Sequence, residues 1–202
     1  MKKFLVVLAA ALLMSACMST STGSVTRIDS NTQTDLSGYW NDTDVRIVCK
    51  SLIESCLNSS RVDQAIRARG ARTPAIIIGR FRNDSDEHID TEIITSIMRT
   101  TIINSGKFDF VAGGETRDAI RAERDDQLSF ASEDTASLPA NETGADFMLT
   151  GSVRTIVDRE GNQTVRTYFV TAELINIETN TILWTDQNSE IKKVIVRPRN
   201  RL

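Results

Sequence analysis

Downstream of about position 38 the chain switches between two hydrophobic periods. Val45, Val48, Cys49, Leu52, Cys56 and Leu57 fall at i, i+3, i+4, i+7, i+11 and i+12, which lays them on one face of a helix over about 42–57. A polar stretch with several arginines leads into Pro74-Ala-Ile-Ile-Ile-Gly-Arg-Phe, a β-branched run that reads as a buried strand, and Arg82-Asn-Asp-Ser-Asp-Glu is its turn. Ile93, Ile94, Ile97, Met98, Thr101 and Ile102 mark the inward side of a helix over about 90–104, stopped by Ser105-Gly106. Phe108–Val111 reads as a short strand, 114–125 as a short charged helix, and 126–143 as a polar segment with another helical turn or two.

Then the period shortens to two. Phe147 to Asp158, Thr164 to Ile177 and Thr181 to about Val194 alternate or run β-branched, separated by Asp158-Arg-Glu-Gly-Asn and Glu178-Thr-Asn-Thr. The predicted order is α-β-α-β-α-β-β-β: two crossover units feeding an antiparallel meander. This is an α+β fold of α/β-like character, with helices packed on a mixed β-sheet. About 165 residues suffice for one domain with a real core.

Residues 38–44, GYWNDTD, carry two carboxylates beside two aromatics. With Asn41 as N-cap, Asp44 falls at N3 as a capping-box partner, and Trp40 at N′ meets Val45 at N4 as a hydrophobic staple. Asp42 and Asp44 then lie where the helix dipole favours negative charge. The spacing therefore predicts a helix start rather than a metal or catalytic site.

The N-terminus changes the picture of where this domain works. Met-Lys-Lys, an apolar run of about a dozen residues and Ser15-Ala16-Cys17 make a secretory signal, too short for the ~20 residues of a transmembrane span. Leu13-Met14-Ser15-Ala16-Cys17 resembles a bacterial lipobox, with Met14 where Leu is usual. The resemblance implies cleavage after Ala16 and lipidation of Cys17, and Met18 in place of Asp implies the outer membrane. Residues 18–37 are half Ser and Thr and cannot offset the cost of ordering, so they are expected to be a flexible linker. The expected division is signal 1–16, lipidated cysteine and linker 17–37, one globular domain 38–196 and a basic tail 197–202.

Losing Lys2 and Lys3 takes the formal charge from −3 to −5, which gives no electrostatic case for nucleic acid. Five Asn-x-Ser/Thr triplets, at Asn41, Asn58, Asn83, Asn141 and Asn162, read as polar turns behind a bacterial signal. His88 is the one histidine and sits in a polar turn without a Gly-x-Ser-x-Gly elbow. No cluster has zinc or iron spacing, and Gly113-Gly114 lacks a phosphate-loop lysine. Asp84, Asp86, Glu87 and Asp90 lack the calcium-loop pattern and read as a solvated turn with Asp90 as a helix cap. No catalytic residue, cofactor or metal is expected. Cys49 and Cys56 stand about 10.5 Å apart along a continuous helix, whereas a disulfide needs Cα atoms within ~7 Å. They are expected to be buried free thiols unless the helix breaks between them.

GYWNDTD, AIIIGRFRN, INSGKFDFV, GADFMLTGSV and AELINIETNTILWTD occur in this order over about residues 36–193. Together they resemble the LpoB-type penicillin-binding protein activators, outer-membrane lipoproteins related in fold to the N-terminal domain of TolB. The resemblance implies a non-catalytic role: binding a bifunctional penicillin-binding protein and stimulating peptidoglycan synthesis, with peptidoglycan as a further candidate contact. Better-known members carry a long Pro-rich linker. Here residues 18–37 hold no proline and span ~25 Å as a coil or ~65 Å fully extended. Met148, Thr150, Ser152 and Arg154 alternate with an inward set and are the candidate partner-binding face. Lys192, Lys193, Arg197, Arg199 and Arg201 follow the last acid, Glu190, as a basic ending. The alternative functions are a lipoprotein component of a curli-type secretion or assembly system, or a structural envelope lipoprotein with another partner.

Overall fold

In the computed structural model, which describes residues 24–132, 134–137 and 142–198, the first helix starts at an asparagine cap. The chain divides into two units, Met1–Thr32 and Gln33–Leu202. Of the first, the described part holds a turn in which Asp29 accepts from the backbone N–H groups of Asn31 (2.7 Å) and Thr32 (3.0 Å). The signal peptide and Cys17 lie outside the described residues.

The second unit runs α1 (Asp42–Leu57), α2 (Ser60–Arg67), β1 (Ala75–Asn83), α3 (Thr91–Ser105), β2 (Asp109–Phe110), α4 (Gly114–Phe130), β3 (Phe147–Glu160), β4 (Gln163–Asn176), β5 (Thr181–Asn188) and β6 (Lys192–Val196). The sheet order is β2-β1-β3-β4-β5, with β6 also paired to β4. β1 runs parallel to β2 and β3, and the remaining pairs are antiparallel. The fold is thus α+β with a mixed open sheet.

Two elements were not expected. Ser59 caps α2 within the arginine-rich stretch, accepting from Val62 N, and only Val62 of this helix is buried. One buried residue in eight gives no period to read. The last expected strand, 181–194, is two strands, because Asn188 turns the chain at Ser189–Ile191 and β6 pairs with the far end of β4. Lys192 and Lys193, the first residues of the basic ending, open this last strand. α4 also continues to Phe130, past the expected 125.

One layer of side chains joins helices to sheet. Val48, Cys49, Leu52, Ile53 and Cys56 of α1 and Ile94, Met98 and Ile102 of α3 pack on Ile76, Phe147, Leu149, Val153, Val170, Ala172 and Leu174. Burying a side chain of this size contributes roughly 1.5–3 kcal/mol. Both thiols are buried and free, and the helix between them is continuous. Burial pushes each thiol up to about 12. Asp146 ties the start of β3 to β1: its carboxylate accepts from Ala75 N (2.8 Å) and from Arg72 (2.6 and 2.7 Å). Burial alone would raise the Asp146 carboxyl, but these donors and Arg69 hold it below its ordinary value.

Candidate functional site

The pleat sends alternate residues of β3 to opposite sides. Phe147, Leu149 and Val153 enter the core, which leaves Met148, Thr150, Ser152 and Arg154 on the face that the helices do not cover. The register extends that line across the sheet in rows. Ile77, Met148, Ile175 and Ile182 stand opposite one another on β1, β3, β4 and β5 as an apolar row. Two residues along, about 7 Å away, come Thr150, Glu173 and Thr185. The next row is Arg82, Ser152, Thr171 and Gln187, and beyond it Arg154 faces Phe169.

Between these rows lies a groove of about 590 Å³ lined by Arg80, Arg82, Thr150, Ser152, Arg154, Thr171 and Glu173. Arg80 and Arg82 share this face because both flank buried Phe81, past a bulge that shifts the register of β1 between Ile78 and Phe81. Gly79 makes room for the floor: a Cβ there would lie 2.7 Å from Met148 Sδ and 3.0 Å from Thr150 Cγ2. Asp84 sits 3.5 Å from both Arg82 and Arg154, and among the described residues Arg80 has no ion-pair partner. The groove thus presents three guanidiniums, three hydroxyls and one carboxylate. It has donors for an anion. Among the described residues no group of three or more His, Cys, Asp or Glu could hold a metal ion.

Strand alternation alone places four residues on this face. Arg80, Arg82, Thr171 and Glu173 were not expected there, because only strand order brings them to it. The alternation Arg-Phe-Arg at 80–82 is the one local signal that both arginines share a side.

The GYWNDTD segment lies elsewhere, in a cluster of buried charge. Asn41 Oδ1 accepts from Asp44 N (3.1 Å) while Asp44 Oδ2 accepts from Asn41 N (2.9 Å). Val45 is in the core, and Trp40 packs against Tyr168 with ring centroids 5.2 Å apart and the rings tilted at 54°. Asp44 is also 2.6 Å from Lys193 Nζ, which reaches Asp35 (3.0 Å) and donates to Tyr39 O (2.8 Å). Burial raises the Asp44 carboxyl despite Lys193. Contacts of the domain thus reach back to Asp35, inside the stretch expected as linker.

The acidic turn closes the cluster from the other side. Glu87, only 9% exposed, accepts from Arg166 (2.6 Å), Tyr168 OH (2.6 Å) and Trp40 N (3.0 Å). Asp86 pairs with the same guanidinium at 2.8 Å, and Arg166 lies 4.9 Å from the Tyr39 ring centroid. The turn expected to be solvated is therefore half a clamp, because Arg166 arrives from β4, some eighty residues away. Asp90 caps α3 through Glu92 N (2.9 Å), and His88 is exposed.

The open face lies within a match to a family model described as peptidoglycan-synthase activator LpoB, over residues 44–189, whereas the charged cluster extends past both ends of it, to Asp35 and to Lys193. No curated protein sequence matches. Among solved structures, the LpoB C-terminal domain from Salmonella enterica aligns at 16% identity, covering 70% of this chain and 96% of that one, with a TM-score of 0.39. The corresponding Escherichia coli domain gives 15%, 69%, 95% and 0.39, and E. coli LpoB determined by NMR gives 14%, 89%, 87% and 0.40. The family match spans well over half of the chain: this protein belongs to the LpoB family of peptidoglycan-synthase activators, a regulatory rather than a catalytic family.

Proposed function

We propose that this chain is a periplasmic lipoprotein, anchored in the outer membrane by acyl chains on Cys17, that binds a bifunctional penicillin-binding protein and activates its peptidoglycan synthesis. Family membership over residues 44–189 carries the reading. The lipobox-like Leu13–Cys17 supports the anchor, and more than one acyl chain makes such an anchor stable. The uncovered sheet face around Met148, Thr150, Ser152 and Arg154 is the proposed docking surface, since it is the one broad sheet surface on which the described helices do not pack.

Activation by binding requires that docking favour the synthase's active conformation over its idle one; tight binding to both alike shifts nothing. The test is capture from a detergent extract of the envelope with the full chain as bait, read by fluorescent penicillin labelling of the bound fraction. A labelled band at low salt, and faster glycan polymerisation by that purified synthase when the chain is added, is the expected result. An extract from which no penicillin-binding protein is retained sinks the proposal.

A further inference from the structure

We propose that the open sheet face recognises an extended acidic protein segment with an apolar anchor, the apolar residue seated on the Ile77–Met148–Ile175–Ile182 row and its carboxylates on Arg80, Arg82 and Arg154. The inference rests on the reading of this face as the docking surface and adds the chemistry of what docks there.

Charge is the first argument. The chain as a whole is acidic, at −3, yet three guanidiniums converge on one groove whose lining holds a single carboxylate, Glu173. Asp84 answers two of them only at 3.5 Å, near the outer limit of an ion pair, and Arg80 has no partner among the described residues. Guanidiniums are planar forks that match carboxylates in bidentate fashion, and Thr150, Ser152 and Thr171 add hydroxyl donors between them. A positive groove on a negative molecule steers acidic partners to one place and repels them elsewhere.

Spacing is the second. The apolar row at Met148 and the arginine at 154 are six residues apart on one strand, about 20 Å. The groove of about 590 Å³ lies between them. An extended segment of six or seven residues spans that distance with alternate side chains facing the sheet. The apolar row selects a protein over the carboxylate-bearing wall polymer. Ile77, Met148 and Ile175 are part-buried and Ile182 is 47% exposed, so the row gives an apolar side chain a surface to bury on, which the hydroxyl-rich glycan matches less well.

The test titrates the full chain with a fluorescent nine-residue probe of alternating Glu and Leu, beside a muramyl peptide, at low and raised salt. Expected is saturable binding of the Glu/Leu probe that weakens with salt. It should fall by about tenfold or more in R82E/R154E, and fall in M148S with the salt dependence retained. The control K50E/R61E, the same charge change on α1 and α2, should bind like the parent with the same Tm. Probe binding equal in R82E/R154E and parent overturns the inference, as does absence of saturable binding. Muramyl peptide competing at these arginines also overturns it and assigns the face to the wall. The failures separate cleanly from those of the proposed function. A synthase captured equally by R82E/R154E removes this inference and the docking face with it, and leaves the penicillin-binding protein as partner. Arginine-dependent probe binding without synthase capture removes only the penicillin-binding protein as partner.

Discussion

The ammonium of Lys193, on the last strand, lies 2.6 Å from the carboxylate of Asp44, in the first turn of the first helix. Their side chains are 11% and 5% exposed, so the contact joins the two ends of the domain away from water. Removing one member of such a pair leaves the other buried and uncompensated. Lys193→Met should therefore cost about 3 kcal/mol by urea unfolding. Adding Asp44→Asn, which removes the orphaned charge, should restore part of that. Loss of less than about 0.5 kcal/mol in the single variant would refute a structural role for the pair.

Asn41 closes the capping box and also donates to Asp35 Oδ1 (2.7 Å) and Thr34 O (3.4 Å). Asn41→Ala should cost about 1 kcal/mol from the cap. Synthase capture should be unchanged, since Asn41 is not on the open face. A fully stable variant with selectively lost capture would place docking at this end instead.

Acid should weaken the fold through Asp146 and Asp86. Arg166, with Thr155, lowers the Asp86 carboxyl, and the Ala75, Arg72 and Arg69 donors lower that of Asp146. For groups lowered on folding, the stabilisation is present above the unfolded value of about 3.8 and is lost as pH falls through the folded one. Asp44 runs the other way: its raised carboxyl favours the protonated form and softens the loss. Asp146→Asn should flatten the fall in Tm below about pH 4. An unaltered acid limb in that variant would show that other carboxylates govern it.

Cys49 and Cys56 are enclosed, and burial pushes their thiols up to about 12, so thiolate is scarce at neutral pH. Iodoacetamide at pH 8 should leave both unmodified in the native full chain and alkylate both in urea. Rapid native modification, read by mass spectrometry, would contradict the burial.

Local periodicity and caps make α1, α3 and the long strands legible from the chain itself. Val45 to Leu57 repeats at helical spacing, and Phe147, Leu149 and Val153 alternate. What escapes such a reading is every feature created by distant pairing. Val62 gives α2 too little period to notice. The break at Asn188 lies in Asp186-Gln-Asn-Ser-Glu190, a turn-prone run between two apolar stretches that read together as one strand. At the candidate site, four residues of one strand are readable as a face, but the arginines of β1 join them only because β1 and β3 are parallel neighbours. The acidic turn at 84–87 likewise has the local composition of a solvated loop, and its partner, Arg166, comes from β4, two strands away in the sheet and some eighty residues on in sequence.

Docking of residues 35–40 sets where mechanical load enters the molecule. Any pull arriving from the N-terminal side meets Asp35, Tyr39 and Trp40, which are held by Lys193 and Glu87. Lys193 belongs to β6, which is paired only with β4, so tension is shared between the first helix and the sheet before either bears it alone. The clamp acts as a strain relief at the root of a cable: load reaches the first helix and the last strand together rather than peeling the domain from one end.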